Sequence, residues 1–361
     1  MILRALIFFI VITSFNLGDL FGQHLAAYTN FRGHLYVFDD GNKRPLEMQP
    51  VKEFHVGMRH IIYVDQQNRI KIYANGEVET LQARSIVVDR FYATDYFTGF
   101  VTATLLNVFD GGEQKTLSFA HGPYSVGDSI IAFKDRNKFT FNAYYKGETH
   151  FLDDAVNVTE FKAGDNLVAF LNRQRRMTIF YDGDFFDMPG FKTIDFKIGR
   201  NIVAFTEPDI PKFSVFHKGF IYDLEDFKPK RYKVGDDMVA YIDNNNRFKV
   251  YYDGHTEQVF SFAPDHFEVN DSIMMYTNNR QLYVYHKGKS HRLESFIPQT
   301  YALGMNIFVY LDENGRLKVF QDGKTQTVTF EQVNDFKVYR DIVVFNIGVN
   351  DNKVYYKGKT Y

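Results

Sequence analysis

Two short acidic turns have residue types that could bind a metal ion. They read IDNNNR, at residues 242–247, and LDENGR, at residues 311–316. Their Asp and Asn oxygens are ligands of the kind that calcium prefers, but neither turn has the spaced carboxylates that end in a bidentate Glu. Asp, Asn and Gly are also the residues that hairpin turns need. We therefore interpret both segments as turns and predict no metal site.

Other residues with catalytic potential do not form a recognisable pattern. The eleven His residues include no HExxH pair, and the chain has no Cys, so thiolate metal sites and thiol nucleophiles are excluded. No GxSxG nucleophile turn and no phosphate-binding glycine loop occurs. We predict no catalytic residue, no cofactor and no enzyme activity. A Ser/His/Asp set that assembles only on folding stays open.

The sequence repeats one unit of about 35 residues ten times. The glycine of a turn dipeptide marks each unit, and successive marker glycines lie 34 to 36 residues apart. A second glycine, placed before an apolar run, keeps the same period in most copies. Two markers with one period indicate a repeat architecture. The turn dipeptides are Asp40-Gly41, Asn75-Gly76, Asp110-Gly111, Lys146-Gly147, Asp182-Gly183, Lys218-Gly219, Asp253-Gly254, Lys287-Gly288, Asp322-Gly323 and Lys357-Gly358, and the second markers are Gly57, Gly127, Gly164, Gly199, Gly235 and Gly304, with Asn270 in one copy.

Each copy has the pattern of short β-strands. Residues 238–254 combine an apolar run, MVAYID, with RFKVYYDG, in which the two faces of a strand alternate. The Asp-Gly and Lys-Gly dipeptides predict tight hairpin turns, and further short strands precede the apolar run and follow the turn. Beyond residue 22, no segment shows a helical period over ten or more residues. The sequence therefore predicts an all-β fold.

Units of three or four strands cannot bury both of their faces alone, so the copies must stack. Stacking around an axis gives a β-propeller, and stacking along a line gives a solenoid. We predict a β-propeller-like ring of ten short repeats, with two five-bladed propellers or an open β-solenoid as alternatives. The repeat region starts in an apolar strand and stops just into a third strand. We therefore expect the two ends to complete one blade between them.

The N-terminal segment predicts export from the cytoplasm. It contains Arg4, an apolar run from Ala5 to Ile12 and a more polar end, which is the layout of a secretory signal peptide. We predict a signal peptide over residues 1–22 and a single repeat domain over residues 23–361, located in the periplasm. No later apolar run reaches 18 residues, so we expect no membrane span in the mature chain. The formal net charge of −2 argues against nucleic acid as a partner.

Three clusters are candidates for binding a partner protein. The copy between Leu81 and Asn107 lacks the second glycine marker and is rich in aromatic residues. An exposed aromatic patch there would mark a partner site, whereas a locally repacked blade would bury the same residues. Two basic clusters lie in predicted turns or loops, where solvated turn residues are the alternative explanation. The candidates are Phe91, Tyr92, Tyr96, Phe97 and Phe100, then Arg173, Arg175 and Arg176, then Lys228, Lys230 and Arg231.

The repeat resembles a family of signal-bearing β-repeat proteins of the Bacteroidota. The resemblance rests on VGDDMVAYIDNNNRFKVYYDG, on AGDNLVAF and IGRNIVAF, and on the final VYYKGKTY, and it covers all ten copies. It implies a non-enzymatic periplasmic subunit that binds or caps an outer-membrane protein-secretion complex, as the plug of the type IX secretion translocon does. The implied partner is an outer-membrane secretion barrel, and no catalytic residue is carried over.

Two other functions stay open at the level of the sequence. Many tyrosines and repeated equivalent loops would suit a glycan-binding, lectin-like propeller, although the absence of Trp counts against it. A propeller-fold hydrolase would need acidic residues that converge at the central axis of the ring. The burial of the tyrosines and the residues at the axis are therefore the structural features that distinguish these functions.

Overall fold

The computed structural model describes residues 24–82, 86–188, 192–193, 195–207, 211–349 and 351–361. Every helix or strand element in these ranges is a β-strand, and the strands form ten antiparallel sheets in chain order. Nine sheets have four strands and the first has three. We call the sheets blades 1–10. The prediction of an all-β ring of ten short repeats is confirmed, while the predicted signal peptide, residues 1–22, lies outside the described residues.

Within each blade the strands follow one another as a meander, each paired with the next. Blade 1 holds β1 to β3, which correspond to the second, third and fourth strands of the other blades, and each later blade holds the next four strands. The bounds are β1 Leu25–Thr29, β2 His34–Asp39, β3 Asn42–Pro50; β4 Glu53–Val56, β5 His60–Val64, β6 Ile70–Ala74, β7 Glu77–Gln82; β8 Arg90–Ala93, β9 Thr98–Val101, β10 Leu106–Asp110, β11 Glu113–Ser118; β12 His121–Val126, β13 Ile130–Asp135, β14 Thr140–Tyr145, β15 Glu148–Asp154; β16 Val158–Ala163, β17 Leu167–Asn172, β18 Met177–Tyr181, β19 Asp184–Asp187; β20 Asp195–Ile198, β21 Ile202–Thr206, β22 Phe213–His217, β23 Phe220–Glu225; β24 Arg231–Val234, β25 Met238–Ile242, β26 Phe248–Tyr252, β27 His255–Phe260; β28 His266–Asn270, β29 Ile273–Asn278, β30 Gln281–His286, β31 Lys289–Glu294; β32 Tyr301–Leu303, β33 Ile307–Leu311, β34 Leu317–Gln321, β35 Lys324–Thr327; β36 Val333–Tyr339, β37 Ile342–Ile347, β38 Asp351–Tyr356 and β39 Lys359–Thr360.

The hydrophobic core is divided into clusters that lie between neighbouring blades. In one cluster, Phe141 of blade 4 packs against Phe161 and Phe170 of blade 5, with ring centroids 4.6 and 5.3 Å apart. The apolar second and third strands supply most of these buried residues. Since a fully buried Phe contributes roughly 1.5–3 kcal/mol, the packing between blades is a main source of stability.

The ring closes where blade 1 meets blade 10. Strand β1 packs against β37, and Phe38 of blade 1 is buried together with Ile342 and Tyr356 of blade 10. The expectation that the two ends complete one blade is wrong, because the C-terminal segment supplies all four strands of blade 10 by itself. Packed side chains therefore close the ring in place of a shared strand. This closure excludes the open solenoid and the two five-bladed rings.

Close backbone contacts join the first strands of the blades around the axis. A Cβ atom on Gly127 would lie 1.5 Å from the carbonyl oxygen of Gly164, and one on Gly199 would lie 1.6 Å from that of Gly235. The backbone amide of Asp128 donates a hydrogen bond to the carbonyl of Gly164 at 3.0 Å, across the boundary between two blades. The second glycine marker is therefore required by the close approach of neighbouring blades.

The turns between third and fourth strands have the backbone that their dipeptides predict. Asp253 and Gly254 have φ angles of 49° and 81°, as a tight hairpin turn needs. In blade 3 the turn pair is Gly111-Gly112, with φ angles of 60° and 84°, and not the predicted Asp110-Gly111. Two consecutive glycines adopt this conformation without strain, so the turn forms one residue later.

Buried Asp residues close the loops between second and third strands. Asp243 accepts hydrogen bonds from the backbone amides of Asn245 and Arg247 at 2.9 and 2.8 Å, and from Arg247 Nε at 2.7 Å. Asp312 forms the equivalent bonds in its own loop. Burial raises the pKa of Asp243, but the hydrogen bonds from Arg247 and Lys249 outweigh burial, so the pKa lies below its usual value. These carboxylates are neutralised by the Arg and Lys of the following strand.

Gly199→Ala should lower the free energy of unfolding by about 2–4 kcal/mol, because the added Cβ forces two blades apart at the axis. Urea denaturation measures this loss. Gly122→Ala in β12 is the matched control, since its Cβ would lie 3.3 Å from the nearest atom, in Lys134. We expect the control to lose less than about 1 kcal/mol. Equal losses in the two variants would contradict the steric explanation.

Treatment with a chelator should leave the melting temperature unchanged. The oxygens of Asp243 and Asp312 already accept hydrogen bonds from their own loops, so no bound ion is needed to hold the loops. Thermal melts with EDTA, with added calcium and with neither would measure the effect. A lower melting temperature with EDTA, or a higher one with calcium, would show that these loops bind an ion.

Candidate functional site

The meander gives the ring two different faces. We name the side that carries the first-to-second-strand loops and the third-to-fourth-strand turns the turn face. The opposite side, with the second-to-third-strand loops and the blade-to-blade connections, is the connection face. A cavity of about 510 Å³ on the turn face shows this grouping, since Tyr96 and Ser129 from loops line it together with Gly111 and Gly147 from turns.

Four of the five aromatic candidates for partner binding are buried. Phe91, Tyr92, Phe97 and Phe100 are only 2–8% exposed. Of the two alternatives stated above, an exposed patch and a repacked blade, the burial of these four residues matches the repacked blade. Tyr96 differs from them, since it is 44% exposed and lies in a loop of the turn face.

These aromatic residues fill the two boundaries of blade 3. Tyr92 and Phe97 belong to a cluster with Ile131 of blade 4. Phe91 and Phe100 belong to a separate cluster that continues into blade 2. Blade 3 is thus a locally repacked blade, in which large side chains replace the regular pattern of the repeat.

Both basic clusters lie on the connection face, where the structure brings them to the same side of the ring. Arg175 Nε donates to the carbonyl of Thr193 at 2.9 Å, and Lys230 Nζ donates to Asn246 Oδ1 at 2.6 Å. Such contacts hold the cations against neighbouring loops. The first cluster, in the loop after β17, is Arg173, Arg175 and Arg176, and the second, leading into β24, is Lys228, Lys230 and Arg231.

Exposed apolar side chains recur around the connection face. Ten of the large apolar residues that are exposed in the described part of the chain lie on this face. The remaining ones lie on the outer strands of the blades, apart from Tyr96. The repeat pattern of the sequence does not reveal this set, because its members occupy different loops in different blades. Apolar residues inside predicted turns were the signal that could have found it. We call the set the apolar crown: Phe31, Val87, Phe119, Phe139, Val156, Phe227, Phe262, Ile297, Phe330 and Val349.

Charged side chains surround the axis on the turn face. Each follows the position of the second glycine marker, or its equivalent, at the end of a first strand. Together they line two adjoining cavities of about 540 and 280 Å³, with five carboxyl groups against two guanidinium groups. The sequence analysis used the glycine as a marker but did not consider the residue after it. We call this set the axial charges: Asp95, Asp128, Asp165, Arg200, Asp236, Asp271 and Arg340.

Arg200 lies among three of these carboxylates. Its guanidinium nitrogens are 3.2 Å from Asp95 Oδ2, 3.0 Å from Asp128 Oδ2 and 2.8 Å from Asp165 Oδ2. Burial lowers the pKa of Arg200, but the carboxylates of Asp165 and Asp128 outweigh burial and raise it overall. Arg340 also forms an ion pair with Asp95. The two arginines therefore compensate one side of the axial site.

Asp236 and Asp271 form the other side of the axial site. Burial and the nearby Asp271 carboxylate together raise the pKa of Asp236 to about 7, against the effect of Arg200. Burial also raises the pKa of Asp128 to about 6, although Arg200 acts in the opposite direction. Asp236 thus changes its charge near neutral pH, where an ordinary Asp is fully ionised.

The arrangement of the axial charges limits the chemistry that they can perform. Within the described ranges, no three His, Asp or Glu side chains are placed to hold one metal ion together. The excess of carboxyl groups favours a cation over an anion as a ligand. The convergence of carboxyls at the axis also meets the requirement stated above for a propeller-fold hydrolase.

Asp236→Asn should stabilise the protein more at about pH 8 than at about pH 5. With a raised pKa, the folded protein keeps a proton on Asp236 that the unfolded chain releases between about pH 4 and pH 7. The wild type therefore loses stability as the pH rises through this range, and Asn cannot ionise. We expect the difference in the free energy of unfolding to grow by on the order of 1 kcal/mol, measured by urea denaturation.

Asp253→Asn is the matched control for this measurement. Asp253 lies in an exposed turn on the same face, outside the axial cavities. We expect its effect on stability to be equal at the two pH values. A pH-independent effect of Asp236→Asn would contradict the raised pKa.

The described chain contains no helix long and apolar enough to cross a membrane.

Comparison with known proteins identifies the fold. No curated protein matches the sequence significantly. The computationally designed Ika8 protein is similar at 14% identity and a TM-score of 0.37, over 93% of this chain and 100% of that one. Prp20p from Saccharomyces cerevisiae is similar at 9% identity and a TM-score of 0.36, over 58% and 77%.

A component of a secretion system is among the similar structures. PorZ is described as an essential surface component of the type-IX secretion system of Porphyromonas gingivalis. It is 9% identical, with a TM-score of 0.30, over 94% of this chain and 59% of that one. Similarities at this level carry no argument about function. The family model of the 10-bladed beta propeller domain matches residues 20–361, and the chain belongs to this family.

Proposed function

We propose that this propeller is a non-enzymatic docking subunit that binds a protein partner through its connection face. The apolar crown is the observation that carries the proposal, because ten exposed apolar residues lie on one side of the ring. Single exposed apolar residues are common on protein surfaces, but the placing of all ten on one face is what a site that binds a protein would need. Burial of a Phe side chain in an interface removes unfavourable contact with water, so a few crown residues would supply much of the binding.

The basic clusters support the same face as the interface. Arg is enriched with aromatic residues in protein interfaces, where its guanidinium forms hydrogen bonds at the edge of an apolar centre. Arg231 already lies 4.6 Å from the ring of Phe267, and Phe227 of the crown precedes it in the same connection. Apolar and basic side chains thus alternate on this part of the connection face.

The resemblance of the sequence suggests which partner the face binds. We propose a periplasmic subunit that binds or caps an outer-membrane protein-secretion barrel, in the role of the plug of the type IX secretion translocon. The pattern of residues 1–22, which is that of a signal peptide, supports the periplasmic location. A rigid ring with one apolar face has a suitable shape for covering the opening of a barrel.

A hydrolase is the second candidate, because five carboxyl groups converge at the axis. Asp236, whose pKa is raised to about 7, could exchange a proton near neutral pH. Asp236→Asn would then abolish hydrolysis without changing the recovery of a partner. A lectin is less well supported, since large tyrosines such as Tyr63, Tyr241 and Tyr310 are buried in the core and cannot stack on sugars.

Phe119→Ser combined with Phe330→Ser should reduce the recovery of the partner at least about tenfold. These residues are 70% and 80% exposed, so their replacement should leave the free energy of unfolding nearly unchanged. The measurement is affinity purification of the tagged full chain from native membranes in mild detergent, followed by mass spectrometry. We expect an outer-membrane barrel to be recovered with the wild type.

Phe151→Ser combined with Phe220→Ser is the matched control. Both residues are similarly exposed but lie on the outer strands β15 and β23. This variant should recover the partner as the wild type does. Equal losses in the two double variants would refute the connection face as the interface, and a wild type that recovers only itself would refute the docking function.

A further inference from the structure

The smaller axial cavity combines acidic, basic and apolar walls. Asp236 and Asp271 line it together with Leu303, Met305 and Val338, and Arg200 and Arg340 line it as well. Its volume of about 280 Å³ suits a single short chain better than a drug-sized ligand. The cavity therefore has the composition expected for a ligand with one charged end and an aliphatic part.

Two carboxylate oxygens in the axial site are buried but lack a hydrogen-bond partner within the described part of the chain. They are Oδ1 of Asp165 and Oδ2 of Asp271, on side chains of residues that are 8% and 6% exposed. Buried acceptors in proteins are nearly always paired, because an unpaired one destabilises the folded state. Asp271 lines the smaller cavity, so a ligand there could pair its oxygen, whereas Asp165 lines only the larger cavity.

The positive charges of the site are unevenly distributed. Arg200 lies within 3.2 Å of carboxylates on Asp95, Asp128 and Asp165, and Arg340 pairs with Asp95 as well. No ion pair with Asp236 or Asp271 is found among the residues that the structure describes. Asp236 and Asp271 are thus carboxyl groups without a direct ion pair in the described chain, although Arg200 also lines the smaller cavity and favours the ionised form of Asp236.

The side chain of Asn270 is a third possible acceptor in the smaller cavity, in addition to the carboxyl groups of Asp236 and Asp271. The side-chain nitrogen of Asn270 donates to the carbonyls of Leu303 and Gly304, at 3.2 and 3.3 Å. The N–H groups of this side-chain amide therefore bind blade 9, and its oxygen, Oδ1, is the group that can accept a hydrogen bond from a ligand. Asn270 also lines the cavity, so three acceptor groups border the same space.

We propose that this cavity binds a primary alkylammonium group, with the side chains of Asp236, Asp271 and Asn270 as its acceptors. An ammonium group has three N–H donors and a single charge, which matches three acceptors around one cavity. The methylene groups of the ligand would contact Leu303 and Met305. The same chemistry is presented by a free diamine and by the side chain of a lysine on a bound peptide.

Other ligand classes fit the cavity less well. A calcium or zinc ion needs several converging ligands, and no suitable group of three is present in the described ranges. An anion would be repelled by the excess of carboxylates. A quaternary ammonium group has the charge but no N–H donor, so it would leave the buried acceptors unpaired.

Binding to this cavity is independent of the proposed docking function. The axial charges lie on the turn face, whereas the apolar crown lies on the connection face. A variant that loses the ammonium ligand should still recover the partner protein. The two proposals can therefore fail separately.

The test is isothermal titration calorimetry of the full chain with butylammonium, with cadaverine and with a short peptide that contains one lysine. We expect binding at millimolar concentrations or below, and a loss of affinity of about tenfold or more in Asp271→Asn. Stronger binding of cadaverine would identify a free amine as the ligand, and stronger binding of the peptide a lysine side chain. Tetramethylammonium should not bind.

The controls separate binding from folding. Asp271→Asn keeps the shape of the side chain, and its melting temperature shows whether the ring is intact. Asp253→Asn removes one carboxylate from the same face outside the cavity and should bind as the wild type does. Unchanged affinity in Asp271→Asn, equal binding of tetramethylammonium, or no binding of any primary amine would overturn the proposal.

A second readout follows from the protonation of Asp236. Its charged neighbours around the cavities are Asp95, Asp128, Asp165, Arg200, Asp271 and Arg340. Because burial raises the pKa of Asp236 to about 7, a bound cation should displace a proton at slightly acidic pH. The binding enthalpy should then depend on the ionisation enthalpy of the buffer. A buffer-independent enthalpy would remove Asp236 from the binding site.

Discussion

The close approach of backbones around the axis is the constraint on which the ring depends. A carbonyl group of one blade occupies the space that a Cβ atom would need on the preceding blade, as between Gly199 and Gly235. This contact fixes the distance between neighbouring first strands, and the apolar clusters farther out fill the spaces that the distance creates. Ten short repeats can therefore form one narrow-centred ring, because glycine at this position lets the inner strands come together.

Six blades have glycine at this position, and two of the others, blades 3 and 8, show how side chains replace a missing backbone contact. Asn270 stands at the glycine position of blade 8, and its amide donates to carbonyls of blade 9. In blade 3, Thr94 stands there, and the amide of Asp95 donates to the side chain of Asp128 at 2.8 Å instead of to a backbone carbonyl. Each substitution keeps a polar link between blades at the cost of a different geometry.

The sequence predicted the number of blades and the strands, because period and alternation are local properties of the chain. It failed where the outcome depended on contacts between blades. The sequence around Phe91 and Phe97 is the same whether their side chains are exposed or buried. Only the packing of blades 2 and 4 against blade 3 decides their burial. The axial charges were missed for a related reason. Asp128 and Arg200 are ordinary turn residues in the sequence, and they meet only because the ring closes.

The division of the ring into two faces explains why the charges and the apolar residues are separated. Loops on the turn face start at the axis, where the backbone contacts fix their shape, so the residues that follow the glycine position converge on the two axial cavities. Connections between blades have no such constraint and differ in length, and crown residues such as Phe119 and Ile297 occupy different places within them. A converging rigid site suits a small ligand, whereas a wide ring of separate contacts suits a large partner. Since the strands and the apolar clusters between blades separate the two faces, a partner on one face and a ligand on the other can bind without sharing a residue.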